Sequence, residues 1–291
     1  MFAQPIAPWL IAPWLIALAA PAIPQAADPL TRPIVTDHAA EWLSPRPPVR
    51  VFGKTYLVGF GGLNVALIDT RKGLILIDGA LPQGAPAILA NVRKLGFAPR
   101  DIKYILSTEP HFDHAGGLAA LARDTGATVI ASARGAEGLR TGHLAADDPQ
   151  IGYDSRFPAV RAVRVVLDGE RITLGDTSVV ARAAPGHTMG SMSWNWRTCE
   201  GRRCKAIVFA ASLNPVSTDD YRFSAPANTA VVAAFARGQA AMRALPCDIL
   251  ITAHADQDGA TSRFLTTPGA CRTYAASSQR KLAQRLASER R

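Results

Sequence analysis

The sequence predicts an α/β chain of two β-sheets with helices on their outer sides, and three observations carry that expectation. Apolar, β-branched runs recur with glycine turns between them, helical periodicities separate these runs, and the alternation occurs twice along the chain. With 291 residues, 48% of them hydrophobic, the chain can bury one large core, and one domain over residues 28–291 is the expected organisation.

Residues 1–27, MFAQPIAPWLIAPWLIALAAPAIPQAA, are apolar and uncharged and contain the direct repeat IAPWLIAPWL. They read as a secretory leader, with the departure that no lysine or arginine precedes Arg32. Pro5, Pro8, Pro13 and Pro21 interrupt any helix, so no stable membrane span is expected once the leader is cleaved. An uncleaved tether is the competing reading. Export implies a periplasmic or secreted protein.

After the leader, TYLVGF (55–60), NVALIDT (64–70) and GLILIDGA (73–80) read as three successive strands. A helix follows over 82–97, with Ile88, Leu89, Val92 and Leu95 on one face, and leads into the strand IKYILST (102–108). GGLAALARDTG (116–126) starts a helix from its glycines, and the polar stretch from His143 to Pro158 is a surface loop bordering a cleft. The second half runs through strands with tight turns (165–185), the strand AIVFAAS (206–212), a long helix (228–245) and the strand DILITAHA (248–255). The tail RKLAQRLASERR closes with Leu282 and Leu286 at i, i+4, an amphipathic helix.

Four cysteines allow three pairings, and their spacing favours one. Cys199 and Cys204 bracket the polar turn EGRR between two strand-like stretches, while Cys247 and Cys271 would tie the last strand to the C-terminal helix. An even count without a CxxC motif agrees with an oxidising compartment, against a reading of four free thiols. The net charge of +9 is spread thinly except in the tail, and no aromatic residues interleave with the basic ones, so no nucleic-acid partner is expected.

The chemistry lies at the strand ends. STEPHFDHAGG (107–117) brings Glu109, His111, Asp113 and His114 to the end of one strand, His187 follows another in PGHTMGS, and His254 ends a third in TAHA. Four of the six histidines fall in these contexts, and only His38 and His143 do not. Imidazole and carboxylate donors gathered on one rim suit zinc. Alternation along an extended segment would point residues 109, 111 and 113 one way, with His114 turning toward a neighbouring ion, so two adjacent metals are expected. Asp78, ending LILID, reads either as a partner orienting a ligand or as a cap on the next helix.

The run from Glu109 to Gly117, PGHTMGSMSW and the late ITAHA together resemble the metallo-β-lactamase superfamily, whose signature has histidine where Glu109 stands. Ser212 in ASLNPVSTDDYRFS, the paired Cys247 and Cys271, and the exported context resemble its third subclass. That resemblance implies an αβ/βα sandwich and two zinc ions, the first held by Glu109, His111 and His187, the second by Asp113, His114 and His254. It implies hydrolysis of the amide bond of a small-molecule β-lactam by a metal-bound hydroxide, with Asp113 fixing that hydroxide or passing on its proton, and no protein nucleophile. Ser212 would bond a water on the second zinc, and Asn214 sits where the subclass contacts the substrate carboxylate. A ligating Glu109 lowers the charge of the two-zinc site by one, making the first zinc a weaker Lewis acid; alternatively Glu109 does not ligate and serves as a base beside a single metal. Hydrolysis of another ester, lactone or thioester, or a non-catalytic metal-binding descendant, are the other function classes open to this sequence.

Overall fold

The computed structural model describes residues 28–153, 156–257 and 264–290, together with Met1. The rest of the expected leader lies outside the described residues. After the one-turn helix α1 (Ala39–Trp42), the first sheet is laid down in chain order. β1 (Val49–Phe52), β2 (Thr55–Leu57), β3 (Ala66–Asp69) and β4 (Leu74–Ile77) are joined as antiparallel neighbours. β5 (Ile102–Leu106), β6 (Thr128–Ala131) and β7 (Val163–Val165) then add in parallel. Parallel neighbours need crossovers, and helices lie in each of them: α2 (Ala85–Lys94), the pair α3 (Phe112–Ala115) and α4 (Leu118–Thr125), and α5 (Ala133–Thr141). The second sheet has the order β12-β11-β10-β9-β8, from β8 (Arg171–Leu174), β9 (Thr177–Ala183), β10 (Met192–Glu200), β11 (Arg203–Ala210) and β12 (Ile249–Thr252). Helix α6 (Thr229–Ala244) lies between β11 and β12, and α7 (Ala270–Ser288) follows β12.

The period-two pattern explains the layering. In β4, Ile75 and Ile77 face the second sheet, where they meet a cluster containing Trp194, Trp196, Ile207, Phe209 and Ile251. Their neighbours Leu74 and Leu76 face outward, into a cluster with Ile88 and Val92 of α2 and Leu118 and Leu121 of α4. β11 repeats the arrangement: Ile207 and Phe209 point inward, Val208 and Ala210 outward against Met242 of α6 and Tyr274 and Ala275 of α7. The central strands β4 and β11 are apolar on both faces where they lie in the sandwich, as strands covered by a sheet on one side and helices on the other must be. The result is the expected αβ/βα sandwich. The tail is the expected amphipathic helix, with Leu282 buried and Leu286 packed beside it.

Both expected disulfides are present, Cys199–Cys204 across the β10–β11 turn and Cys247–Cys271 between the start of β12 and α7. Among the described residues no helix is long and apolar enough to cross a membrane.

Two sequence expectations need correction. Residues 109 to 113 are not one extended segment: His111 is extended (φ −96°, ψ 149°), but it caps α3, whose helical turn carries Asp113 and His114. The chain bends there because the following glycines let it press against the loop after β4. A Cβ on Gly117 would overlap the carbonyl of Gly79, and one on Gly116 that of Phe112, while the amides of Gly79 and Gly117 donate to His114 and Ala80. Asp78 does not cap the next helix, whose first turn has no side-chain cap.

Candidate metal centre

Loops leaving β5, β9 and β12 converge on one edge of the sandwich, and they bring the six expected ligands into two triads. Donor atoms of Glu109, His111 and His187 lie within 4.8 Å of one another, as do those of Asp113, His114 and His254. All but His254 are buried.

The second triad has the spacing of a tetrahedral site. His114 Nε2 is 3.1 Å from His254 Nε2 and 3.3 Å from Asp113 Oδ2, and His254 Nε2 is 3.1 Å from the same carboxylate oxygen. Zinc with nitrogen and oxygen ligands at about 2.0 Å has tetrahedral edges of about 3.3 Å. In the first triad, His111 Nδ1 and His187 Nε2 are 3.2 Å apart.

The other ring nitrogens fix which atom faces the centre. His187 Nδ1 donates to the backbone carbonyl of Asn214 at 2.7 Å, leaving Nε2 inward. His111 turns Nε2 to the buried carboxylate of Asp148 at 2.9 Å, leaving Nδ1 inward. His114 Nδ1 lies 3.5 Å from Asp78 Oδ2. Asp78 itself accepts from the amide and hydroxyl of Thr108 at 2.8 and 2.7 Å. It sits at φ 66°, a left-handed conformation costing a non-glycine residue roughly 1–2 kcal/mol, and so marks a strained position beside the site.

Glu109 is divided between two tasks. Its Oε2 accepts from the Ser212 amide at 3.1 Å and from the Ser191 hydroxyl at 3.3 Å. Its Oε1 is buried and accepts no hydrogen bond, although it lies 3.1 Å from His114 Nε2 and 3.9 Å from His187 Nε2, between the two triads. A buried carboxylate oxygen without a donor is costly unless a cation meets it. The residues present therefore fit a metal centre.

Electrostatics point the same way. Burial pushes the Glu109 carboxyl up, but the charges of His114, His187 and His111 outweigh it and hold the group at about 2. Asp113, likewise opposed by burial, is held well below the usual carboxylate range by His114 and His254. Against burial, Asp113 and Glu109 push His114 well above the ordinary imidazole value, and Asp148 raises His111. Burial lowers His187. The cluster is a field that favours positive charge, which a divalent cation supplies.

His111, Asp113, His187 and His254 line an open cleft of about 740 Å³, a size suited to a drug-sized molecule. One wall is the segment around Val35, His38 and Trp42, whose indole meets the His254 ring edge-on at 5.4 Å. Gln150, Tyr153 and Val216 also line the cleft.

Ser212 and Asn214 are both close to the ligands, in ways their side chains did not announce. Ser212 is buried, its hydroxyl accepts from Gln257 Nε2 at 3.0 Å, and its amide is the donor to Glu109. Asn214 serves His187 through its carbonyl, while its side-chain oxygen accepts from Lys281 at 3.0 Å. Sequence reasoning missed Asp148, Gln150, Ser191 and Tyr274. Gln150 Nε2 lies 3.4 Å from His111 Nδ1 and 3.3 Å from His187 Nε2. Tyr274 of α7 accepts from the Leu213 amide at 3.1 Å, and its hydroxyl lies 3.1 Å from the Ala211 carbonyl and 2.9 Å from Gln257 Oε1. The local signal for Asp148 is weak, since Asp-Asp-Pro in a polar stretch reads as a turn.

Comparison with known proteins places the chain in a family. Residues 58–198 match the model of the metallo-beta-lactamase superfamily. The solved structure of a B3 metallo-beta-lactamase with an active-site glutamic acid is 65% identical, with a TM-score of 0.90 over 91% of this chain and 100% of that one. MEM-A1, a subclass B3 metallo-beta-lactamase isolated from a soil metagenome library, is 41% identical, with a TM-score of 0.81 over 86% of this chain and 98% of that one. Among curated proteins, hydroxyacylglutathione hydrolase of Rhodospirillum rubrum is 27% identical over 130 residues, 45% of this chain and 42% of that protein. The match thus spans less than half of that curated relative's length. The identity and near-complete coverage of the B3 structures settle the family: this chain belongs to the metallo-β-lactamase superfamily, beside its B3 members.

Proposed function

We propose that the protein hydrolyses the amide bond of β-lactam antibiotics with two zinc ions, one held by Glu109, His111 and His187 and the other by Asp113, His114 and His254. The observation that carries the reading is the pair of triads, with donor spacings of 3.1 to 3.3 Å in the second, beside a cleft. When bound, zinc supplies Lewis acidity and a water that ionises near neutral pH.

The chain's own part is to hold and orient. Fixed ring nitrogens at His111 and His187 present preformed donors and need no reorganisation during reaction. Asp113, 6% exposed and adjacent to both His114 and His254, is placed to take a proton from water and deliver it to the departing amide nitrogen as the C–N bond breaks. Trp42 and Tyr153, which line the same cleft, confine the substrate beside the triads. Asn214 lines the same cleft and is a candidate contact for the substrate carboxylate; Ser212 acts through its amide, which donates to Glu109.

The two disulfides support an oxidising compartment, and with it a periplasmic or secreted protein; the small residues near the end of the leader put the mature N-terminus between Ile23 and Pro29. N-terminal sequencing of the exported protein tests that. The function is tested by turnover of a chromogenic cephalosporin and a carbapenem against simple lactones, thioesters and a hydroxyacylglutathione, with bound zinc measured by elemental analysis. Preference for the lactones or thioesters would overturn the substrate class. Full zinc occupancy without turnover of any of them would make the protein a non-catalytic metal binder.

A further inference from the structure

We propose that Asp148 is a positioning residue of the first metal site, setting the tautomer and aim of His111 and coupling that ligand to the loop over the cleft. The inference rests on the reading of Glu109, His111 and His187 as a metal triad. Asp148 belongs to none of the expected ligands and lies 37 residues beyond His111 in sequence, in a stretch without helix or strand.

Three observations carry it. Asp148 is a carboxylate that is 3% exposed in an otherwise polar loop, and burying such a charge is expensive without a partner. Its two oxygens are used differently. Oδ2 meets His111 Nε2 at 2.9 Å, and Oδ1 accepts from the Gln150 amide at 2.8 Å. Finally, His111 has only one nitrogen left for the centre, and that Nδ1 stands 3.2 Å from His187 Nε2.

The tautomer follows. A carboxylate facing Nε2 requires the proton there, because two lone pairs would otherwise oppose each other, so Nδ1 carries the lone pair that a metal needs. A negative partner on the far nitrogen also makes the ligating one a stronger donor. This adds to the negative charge that a first triad with a carboxylate as its third member already brings to the site. Because the same carboxylate accepts from the backbone N–H of Gln150, whose side-chain Nε2 lies 3.3 Å from His187 Nε2, the position of that loop and the aim of His111 are set by one residue.

The test compares wild type with Asp148→Ala and Asp148→Asn, each checked for folding by circular dichroism and thermal melting. Zinc affinity is read by chelator competition, and the ring protons of zinc-loaded, ¹⁵N-histidine-labelled protein by NMR. In wild type the His111 proton resides on Nε2 and resists exchange. Asp148→Ala is expected to lose about 10- to 100-fold in affinity at one zinc site only, with that protected resonance gone. Asp148→Asn, which keeps an acceptor but not the charge, should fall between the two and show the resonance shifted upfield; if the alanine variant does not fold, this variant decides. Unchanged zinc affinity in a folded Asp148→Ala protein, an unshifted resonance in Asp148→Asn, or a wild-type His111 protonated on Nδ1 each overturns the proposal. If wild type itself places no zinc at Glu109, His111 and His187, the triad reading falls and the proposal with it.

Discussion

Replacing Glu109 by glutamine keeps the volume and shape of the side chain and exchanges one oxygen for an NH₂ group, and the surroundings allow that group no comfortable place. At the position of Oε2 it would meet the Ser212 amide, 3.1 Å away, donor against donor. The Ser191 hydroxyl at 3.3 Å can rotate to accept, but the amide cannot. At the position of Oε1 it faces His114 Nε2 at 3.1 Å and takes the place of the oxygen offered to a metal. Without metal the second orientation is preferred, since the carbonyl oxygen then keeps both donors. Metal binding forces the first and leaves a buried donor unsatisfied, a penalty of about 1–3 kcal/mol, which is a factor of about 5 to 150 in affinity before the lost negative charge is counted. The assay is zinc competition with a chromophoric chelator on the wild-type and Glu109→Gln proteins, with melting curves as a check on folding. A glutamine variant that binds both zinc ions as tightly as wild type would refute the argument and remove Glu109 from the ligand set.

The remaining expectations concern the triads, pH and a disulfide. His187→Ala and His254→Ala should each abolish turnover and lower zinc stoichiometry from two to one, because each removes a ligand from a different triad; wild-type rates in His254→Ala would show that the second site is dispensable. Since the folded Glu109 carboxyl is held at about 2 against an ordinary 4.5, the stability it confers on metal-stripped protein is complete above pH 4.5 and lost as pH falls toward 2. Urea unfolding should therefore find a gap between wild type and Glu109→Gln that narrows across that window, and a constant gap would contradict the shift. Replacing Cys247 and Cys271 by serine frees a loop with a sequence separation of 24 and should cost about 3 kcal/mol, against about 2 for the pair Cys199 and Cys204, separated by 5; thermal melts of the two double variants check the order.

The fold was legible where apolar periodicity is strong and local. β2 to β5, α2, α4 and α6 announce themselves by runs such as LILI and by the spacing of Ile88, Leu89 and Val92. β6, α5 and β7 did not. ARGAEGLRT contains two glycines and little apolar residue, and its helix forms because Ser132 caps it through the Gly135 amide and Ala136 and Leu139 find a preformed core. The ligands were legible because histidine and carboxylate at strand ends have few other uses in such numbers. The structure gathers them in the two expected groups for a reason the alternation argument did not supply: α3 carries Asp113 and His114 in a helical turn capped by His111. Asp148 and Tyr274 stayed hidden because a hydrogen bond across 37 or 61 residues leaves no trace in local pattern.

The hydroxyl of Tyr274 has a consequence for the order in which the molecule is made. It holds the Ala211–Leu213 segment, and the middle amide of that segment holds Glu109. Ribosomes emit Glu109, His111, Asp113 and His114 long before the helix that secures their neighbour, and His254 also arrives late. A nascent chain therefore carries four of its six candidate donors with no floor beneath them. The amide that aims the Glu109 carboxylate is thus in place only once α7 has docked, so the first triad is a property of the finished fold and not of the segment that carries its sequence motif.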